Sequence, residues 1–177
     1  MRSFKVLAAC FVFFSFSSRV WAQAVYTATR GGRIQAGGGL LYLNNDYSQT
    51  GDEGISAWAD VDLNRHLGVE AEVHLGTLRS PSDYGENSYL IGPRLSLQRG
   101  RFTGYGKAMF GRGSFVYDRS NTSLGYFVLG FGGGLDYRLG NRFSVRAVDF
   151  EVQHWGSFPP NGLSPYMIST GILYRIR

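Results

Sequence analysis

The sequence predicts an all-β fold, an eight-stranded antiparallel up-and-down transmembrane β-barrel. Three observations predict it. First, runs of about ten residues alternate apolar with polar side chains, and two residues is the period of a β-strand. Second, short polar turns alternate with longer polar stretches along the chain. Third, almost all charged side chains of these runs share one face, and the opposite face is apolar.

The first 22 residues are predicted to be a signal peptide. Arg2 and Lys5 precede an apolar run, and the small residues of Val20-Trp21-Ala22 suit cleavage on export. The alternative is a lipoprotein signal, because Leu7-Ala8-Ala9-Cys10 resembles a site of acylation on cysteine. The apolar run continues past that cysteine, however, which favours cleavage after Ala22.

Processing leaves a short N-terminal arm at 23–32 and a barrel domain at 33–177. Three of the 18 basic residues and none of the 13 acidic residues lie in the signal peptide, so the net charge falls from +5 to +2. A nearly neutral chain of this kind gives no reason to expect nucleic acid as a partner. Cys10 is the one cysteine, so the mature chain contains no disulfide.

The first half of the barrel domain predicts four strands. Alternation is clearest in the third of them, where Val69 and Val73 lie on one face and Glu70 and Glu72 lie on the other. In the fourth, Arg94 lies opposite a face of apolar residues. These strands are expected at residues 33–43, 55–63, 67–76 and 88–98.

The second half predicts four more strands, at residues 102–110, 124–139, 143–154 and 165–176. In the seventh, Arg146 and Asp149 differ in parity, so strict alternation would place Asp149 and Glu151 in lipid. A β-bulge near residues 147–149 would return both carboxylates to the interior. The alternative is that they lie at the level of the lipid headgroups.

The connections predict the up-and-down order. Tight polar turns at 64–66, 99–101 and 140–142 alternate with longer stretches at 44–54, 77–87, 111–123 and 155–164. An even number of strands joined in this way places both termini at the end of the barrel that carries the short turns. We refer to the two ends as the short-turn end and the long-loop end.

The distribution of charge decides which face meets water. A soluble barrel of the lipocalin type would carry many lysines and glutamates outside, yet Lys107 is the only lysine left after processing. We therefore expect lipid outside and an ion-pair network that fills the interior, with a small gated channel as the alternative. The predicted interior residues are Asp60, Asp62, Glu70, Glu72, Arg94, Lys107, Asp136, Arg138, Arg146 and Arg175.

Four segments resemble the small eight-stranded outer-membrane β-barrel family, which includes the OmpA transmembrane domain, OmpX and Ail. They are "YLIGPRLSLQ", "YGKAMFG", "GFGGGLDYRLGNRFSVRAVDFE" and the closing "STGILYRIR". The resemblance implies a monomer in the outer membrane of a Gram-negative bacterium, with periplasmic termini and extracellular long loops. It also implies contact with lipid, lipopolysaccharide and the barrel assembly machinery, and no cofactor.

The sequence favours a structural role, with adhesion or envelope integrity served by the surface loops. Aromatic and arginine side chains favour binding contacts, and the candidates are Arg112, Phe115, Tyr117, Arg119, Trp155 and Phe158. The expected partner of such loops is either an extracellular ligand or lipopolysaccharide, whose phosphates attract arginine. The three histidines lack the local spacing of a metal site, and no catalytic constellation rises above chance, so we expect neither a metal nor an enzyme.

Overall fold

The computed structural model describes residues 32–44, 46, 51–79, 85–116, 123–159 and 162–176. The chain divides into two units, Met1–Gly31 and Gly32–Arg177, and only the second contains described residues. The predicted signal peptide and almost all of the arm at 23–32 lie outside the described residues, as do Tyr117 and Arg119.

Eight strands form one closed antiparallel barrel in which each strand pairs with the next and the last pairs with the first. The predicted fold class is therefore confirmed. No helix among the described residues is long and apolar enough to cross a membrane. The strands are β1 (Arg33–Asn44), β2 (Asp52–Asp62), β3 (Leu67–Arg79), β4 (Gly85–Arg99), β5 (Phe102–Val116), β6 (Ser123–Arg138), β7 (Phe143–His154) and β8 (Tyr166–Arg175).

The short turns form where the sequence predicts them. After β2, the side-chain oxygen of Asn64 accepts hydrogen bonds from the backbone N–H groups of His66 and Leu67, at 2.9 and 2.8 Å. This bonding pattern reverses the chain within a few residues. Between β4 and β5, Gly100 has a φ of 63°, a conformation that glycine adopts without strain.

Several strands extend further toward the long-loop end than the sequence predicts. Strands occupy residues 77–79 and 85–87 of one predicted loop, and residues 111–116 and 123 of another. Alternation continues through Gly113, where a Cβ would lie 2.3 Å from the Trp155 ring, so a glycine that suggests a loop instead makes room inside the barrel. Arg112 and Phe115 consequently belong to β5 and not to a loop.

Burial is inverted relative to a soluble protein. Leu97 is 73% exposed and Arg146 is 0% exposed. Large apolar side chains cover the outer face of every strand, which is the arrangement of a barrel whose solvent is lipid. A barrel of the lipocalin type would show the reverse. Aromatic residues are concentrated toward both ends of this face, for example Phe102 and Tyr137, whose ring centroids lie 5.0 Å apart.

A β-bulge interrupts β7, as predicted. The pairing with β6 passes from Val148 to Arg146, so Ala147 has no partner there. Ala147 and Val148 are both exposed, and Asp149 and Glu151 are both buried in the interior. The Thr170 hydroxyl donates a 2.9 Å hydrogen bond to the Arg146 carbonyl, which stabilises the irregular backbone.

The charged interior as the candidate functional site

Three buried cations lie near the middle of the barrel. The first, Arg146, projects from β7 immediately before the bulge. Its guanidinium lies 2.9 Å from Glu70, 3.3 Å from Asp136 and 3.2 Å from Asp149. It also stacks 4.3 Å from the Trp58 ring centroid. Arg146 therefore connects carboxylates of β3, β6 and β7 with an aromatic residue of β2.

The second cation, Lys107, lies on β5 and binds the carboxylates on the other side of Arg146. Its ammonium nitrogen is 3.0 Å from Asp149 and 3.1 Å from Glu151, and it also donates a hydrogen bond to Glu72. The bulge places two of these three partners inside the barrel. Two of the three acidic partners of Lys107 are therefore available because β7 contains an extra residue.

The third cation, Arg94 of β4, binds nearer the short-turn end. It donates hydrogen bonds to Asp60 and to Asp136, the latter at 2.6 Å, and lies 3.0 Å from Glu70. Its guanidinium stacks 3.8 Å from the centroid of the Tyr105 ring. We call the nine charged residues that these contacts join the central network, namely Asp60, Glu70, Glu72, Arg94, Lys107, Asp136, Arg146, Asp149 and Glu151.

The central network is acidic. It contains six carboxylates and three cations, so full ionisation gives a formal charge of −3. All nine side chains are buried, and the contacts hold strands on opposite sides of the barrel together. Removing one partner from such a network leaves an uncompensated buried charge, which costs about 3–5 kcal/mol. The arrangement acts chemically as a rigid filling of the interior.

One cluster has the residue types of a metal site. Ligand atoms of Glu72, His74 and Glu151 lie within 4.8 Å of one another. The Glu151 carboxylate, however, accepts a 2.8 Å hydrogen bond from Gln153 and lies 3.1 Å from Lys107. His74 in turn contacts the Ser88 hydroxyl at 3.2 Å. These contacts favour a hydrogen-bonded structural cluster beside an ammonium group over a cation site.

The predicted interior residues divide into two groups. Seven belong to the central network. The other three, Asp62, Arg138 and Arg175, line the short-turn end, and within the described part of the chain no hydrogen bond or ion pair joins them to that network. Arg138 donates to the Gly100 carbonyl at 2.9 Å and Arg175 to the Asn141 carbonyl at 3.2 Å. These hydrogen bonds are to residues of the turns. The Arg138 and Arg175 side chains lie nearer the end of the barrel than the central network does.

Sequence reasoning missed several interior polar residues. Tyr105 donates a hydrogen bond to Asp149, and Gln153 donates a 3.0 Å hydrogen bond to Ser88. Tyr105 shares the parity of Lys107, and Gln153 shares the parity of Asp149 after the bulge, so the alternation could have found both. Asp52 and Glu86 are also buried, but they fall within predicted loops.

An apolar cluster fills the interior at the long-loop end. The isolated bridge between Trp155 and Leu163 folds the last long loop inward, and the Trp155 indole donates a 3.0 Å hydrogen bond to Gln153. We call this cluster the apolar plug. Its buried members are Leu90, Met109, Phe115, Val128, Trp155, Phe158 and Leu163.

The apolar plug corrects the prediction for the surface-binding residues. Phe115, Trp155 and Phe158 are only 3%, 0% and 8% exposed, and the Phe115 and Phe158 rings are 5.2 Å apart. They form packing contacts rather than a surface for a partner, because Phe115 lies inside the barrel on β5 and the loop with Trp155 and Phe158 turns into the barrel. Arg112 does remain exposed, on the outer face between its cross-strand neighbours Tyr89 and Phe127.

Comparisons with known proteins agree with this architecture. The family model of the outer membrane protein beta-barrel domain matches residues 6–175. Neisserial surface protein A is 12% identical with a TM-score of 0.63, and the alignment covers 82% of this chain and 97% of that one. The N-terminal barrel of OprF from Pseudomonas aeruginosa is 10% identical with a TM-score of 0.60, covering 82% and 99%.

A third similar structure is OprG from the same organism. It is 14% identical with a TM-score of 0.56, and the alignment covers 83% of this chain and 97% of that chain. At these identities the similarity shows a shared fold. A search of curated proteins finds no match to the sequence.

Proposed function

Because the chain belongs to the outer membrane protein beta-barrel domain family, we propose that it is a structural component of the outer membrane with a permanently closed interior. The observation that carries the proposal is the filled interior. The central network occupies the middle of the barrel, and the apolar plug occupies the long-loop end. Among the described residues, that filling supports a scaffold over an open channel or a catalytic cleft.

The closed interior follows from the width of the barrel and from its chemistry. Eight strands leave an interior that side chains can fill. Arg146 alone spans carboxylates on three strands, so opening a passage would separate several buried ion pairs at once. Breaking an ion pair is costly because the separated charges would stay buried without compensation. The cost of breaking these buried ion pairs favours a scaffold over a small gated channel.

The orientation in the membrane is part of the proposal. Both ends of the barrel domain lie at the short-turn end, and the longer connections lie at the other. Outer-membrane β-barrels with an even number of antiparallel strands have short periplasmic turns and longer extracellular loops. The short-turn end would then face the periplasm, and the apolar plug would lie below the cell surface.

Contact with lipopolysaccharide is the surface interaction that the described residues support best. Arg112 is exposed on the outer face at the long-loop end, between Tyr89 and Phe127. Two aromatic rings mark the level of the lipid headgroups there, and a guanidinium at that level suits a phosphate. The proposed role is envelope integrity, through a rigid barrel that lipopolysaccharide surrounds.

Four measurements test the proposal. The protein should fractionate with the outer membrane and migrate as a compact species when loaded unboiled on a gel. Reconstituted in planar bilayers, it should show no stable conductance. The Arg112→Gln variant should fold normally and bind lipopolysaccharide more weakly than wild type. A reproducible conductance of the wild-type protein would contradict the closed interior, and unchanged lipopolysaccharide binding would contradict the role of Arg112.

A further inference from the structure

Arginines surround the interior where it opens at the short-turn end. A cavity of about 40 Å³ lies there. Four of its arginines come from different elements of the barrel, namely Arg33 of β1, Arg65 of the first turn, Arg138 of β6 and Arg175 of β8. We call these four residues the arginine mouth.

The charge of the arginine mouth is poorly compensated. Asp62 is the acidic residue that lies among the four, and Arg33 approaches it only to 3.9 Å with both side chains partly exposed. An exposed pair of this kind contributes little. The other acid that lines the cavity, Asp136, is already engaged by Arg94 and Arg146 in the central network. The mouth itself therefore carries a formal excess of three positive charges.

Hydrogen bonds orient these arginines without neutralising them. Arg138 and Arg175 each donate to a backbone carbonyl, of Gly100 and of Asn141. A carbonyl fixes the direction of a guanidinium but brings no negative charge. In addition, the Arg175 Nε–H is buried and has no hydrogen-bond partner among the described residues. A buried donor without a partner costs about 1–3 kcal/mol, which an acceptor in the cavity would recover.

We propose that the arginine mouth binds a phosphate group. Guanidinium groups suit phosphate because their N–H donors match its oxygens in pairs. Hydroxyl groups of Ser96, Thr103 and Ser144 also line the cavity and can donate to the same anion. The cavity has space for a few waters, so the phosphate binds at its opening while the remainder of the ligand stays outside.

The competing explanation is that the four arginines only balance the acidic central network. That network keeps a formal charge of −3 after its own three cations are counted, but each of Asp60, Glu70 and Asp136 already contacts Arg94. Long-range balance of charge would also not require the four guanidinium groups to surround a single cavity. Phosphate binding and charge balance differ in what they predict for variants that remove the same charge from different places at this end.

Such a pair of variants is available. The double variant Arg138→Gln/Arg175→Gln removes two charges from the cavity. The control Arg99→Gln/Arg101→Gln removes two charges from the exposed turn between β4 and β5, outside the cavity lining. Inorganic phosphate is titrated by calorimetry into each folded protein in an uncharged maltoside detergent. Unboiled gel mobility verifies that every variant is folded.

We expect the cavity variant to bind phosphate at least about tenfold more weakly than wild type, and the control to change less than about twofold. If the double variant does not fold, Arg138→Gln alone serves, because the side-chain hydrogen bond that it removes is to the Gly100 carbonyl of a turn. An equal loss in both variants would leave only diffuse charge attraction and would overturn the site. Absence of phosphate binding to the wild type would overturn it as well.

A second arm identifies the source of the phosphate. Free phosphate compounds and phospholipid headgroups offer the same chemistry to the arginine mouth. The wild-type barrel is placed in discs of phosphatidylglycerol and in discs of an uncharged glycolipid, and the phosphate titration is repeated. Loss of binding in phosphatidylglycerol alone identifies the headgroup as the occupant. Equal binding in both discs identifies a soluble phosphate compound.

Discussion

Deletion of both Ala147 and Val148 is the most direct test of how β7 places its charges. Without these two residues, Asp149 follows Arg146 directly, so the two side chains must point to opposite faces of the strand. If Arg146 keeps its inward position, Asp149 and Glu151 must turn toward lipid. Transfer of each carboxylate costs about 2 kcal/mol, or about 4 kcal/mol for both. Lys107 also loses two of its partners, which adds about 3 kcal/mol.

The sum is about 7 kcal/mol, which is comparable with the whole stability of many domains. The deletion variant should therefore fold into vesicles in low yield, measured as the fraction with compact mobility on an unboiled gel. The matched control is the double substitution Ala147→Val/Val148→Ala, which preserves composition, length and the bulge. Both residues are exposed on the outer face, so the control should fold like wild type.

The urea midpoint of unfolding is expected to fall as well. Wherever the deletion variant folds at all, its midpoint should lie far below that of the control. If deletion of Ala147 and Val148 left both the folding yield and the urea midpoint at the wild-type values, the two outward residues of the bulge would not be what keeps the two carboxylates inside.

Three further variants test the interior. Lys107→Ala should lower the free energy of unfolding by about 3 kcal/mol or more in urea titrations without creating a conductance, and a large stable conductance in this variant alone would refute a closed interior. Trp155→Ala should cost about 3–5 kcal/mol, because it empties part of the apolar plug, whereas retention of wild-type stability would show that the plug is loosely packed. Thr170→Val should cost about 1 kcal/mol through loss of the bond to the Arg146 carbonyl, and no change in the urea midpoint would indicate that water replaces the hydroxyl.

The sequence predicted the barrel well because its evidence is local. Alternation and turn residues specify strands, and the parity of Arg146 and Asp149 was enough to predict a bulge. The same local evidence explains Thr170, which interrupts the apolar alternation of β8. Its hydroxyl satisfies the bulged backbone of the neighbouring strand, so a polar residue on the outer face has a partner within the sheet.

The errors concern features that depend on the fold as a whole. Trp155 and Phe158 were predicted to be loop residues available for binding. Their loop turns inward because of contacts with β5, and local sequence does not show such contacts. Gly113 carries a signal in retrospect, since it continues the inward parity of β5 and leaves space for the indole. Asp62, Arg138 and Arg175 have interior parity, but parity gives no information about depth along the barrel axis.

The apolar plug and the arginine mouth make the two ends of the interior unequal. Water and protons meet packed rings at one end and hydrophilic side chains around a cavity at the other. Acid–base exchange with the central network should therefore take place through the short-turn end. In a membrane that separates two compartments, water and small ions would reach the central network from only one of them. The interior would then be in contact with the solution on one side of the membrane only, although the barrel crosses the whole membrane.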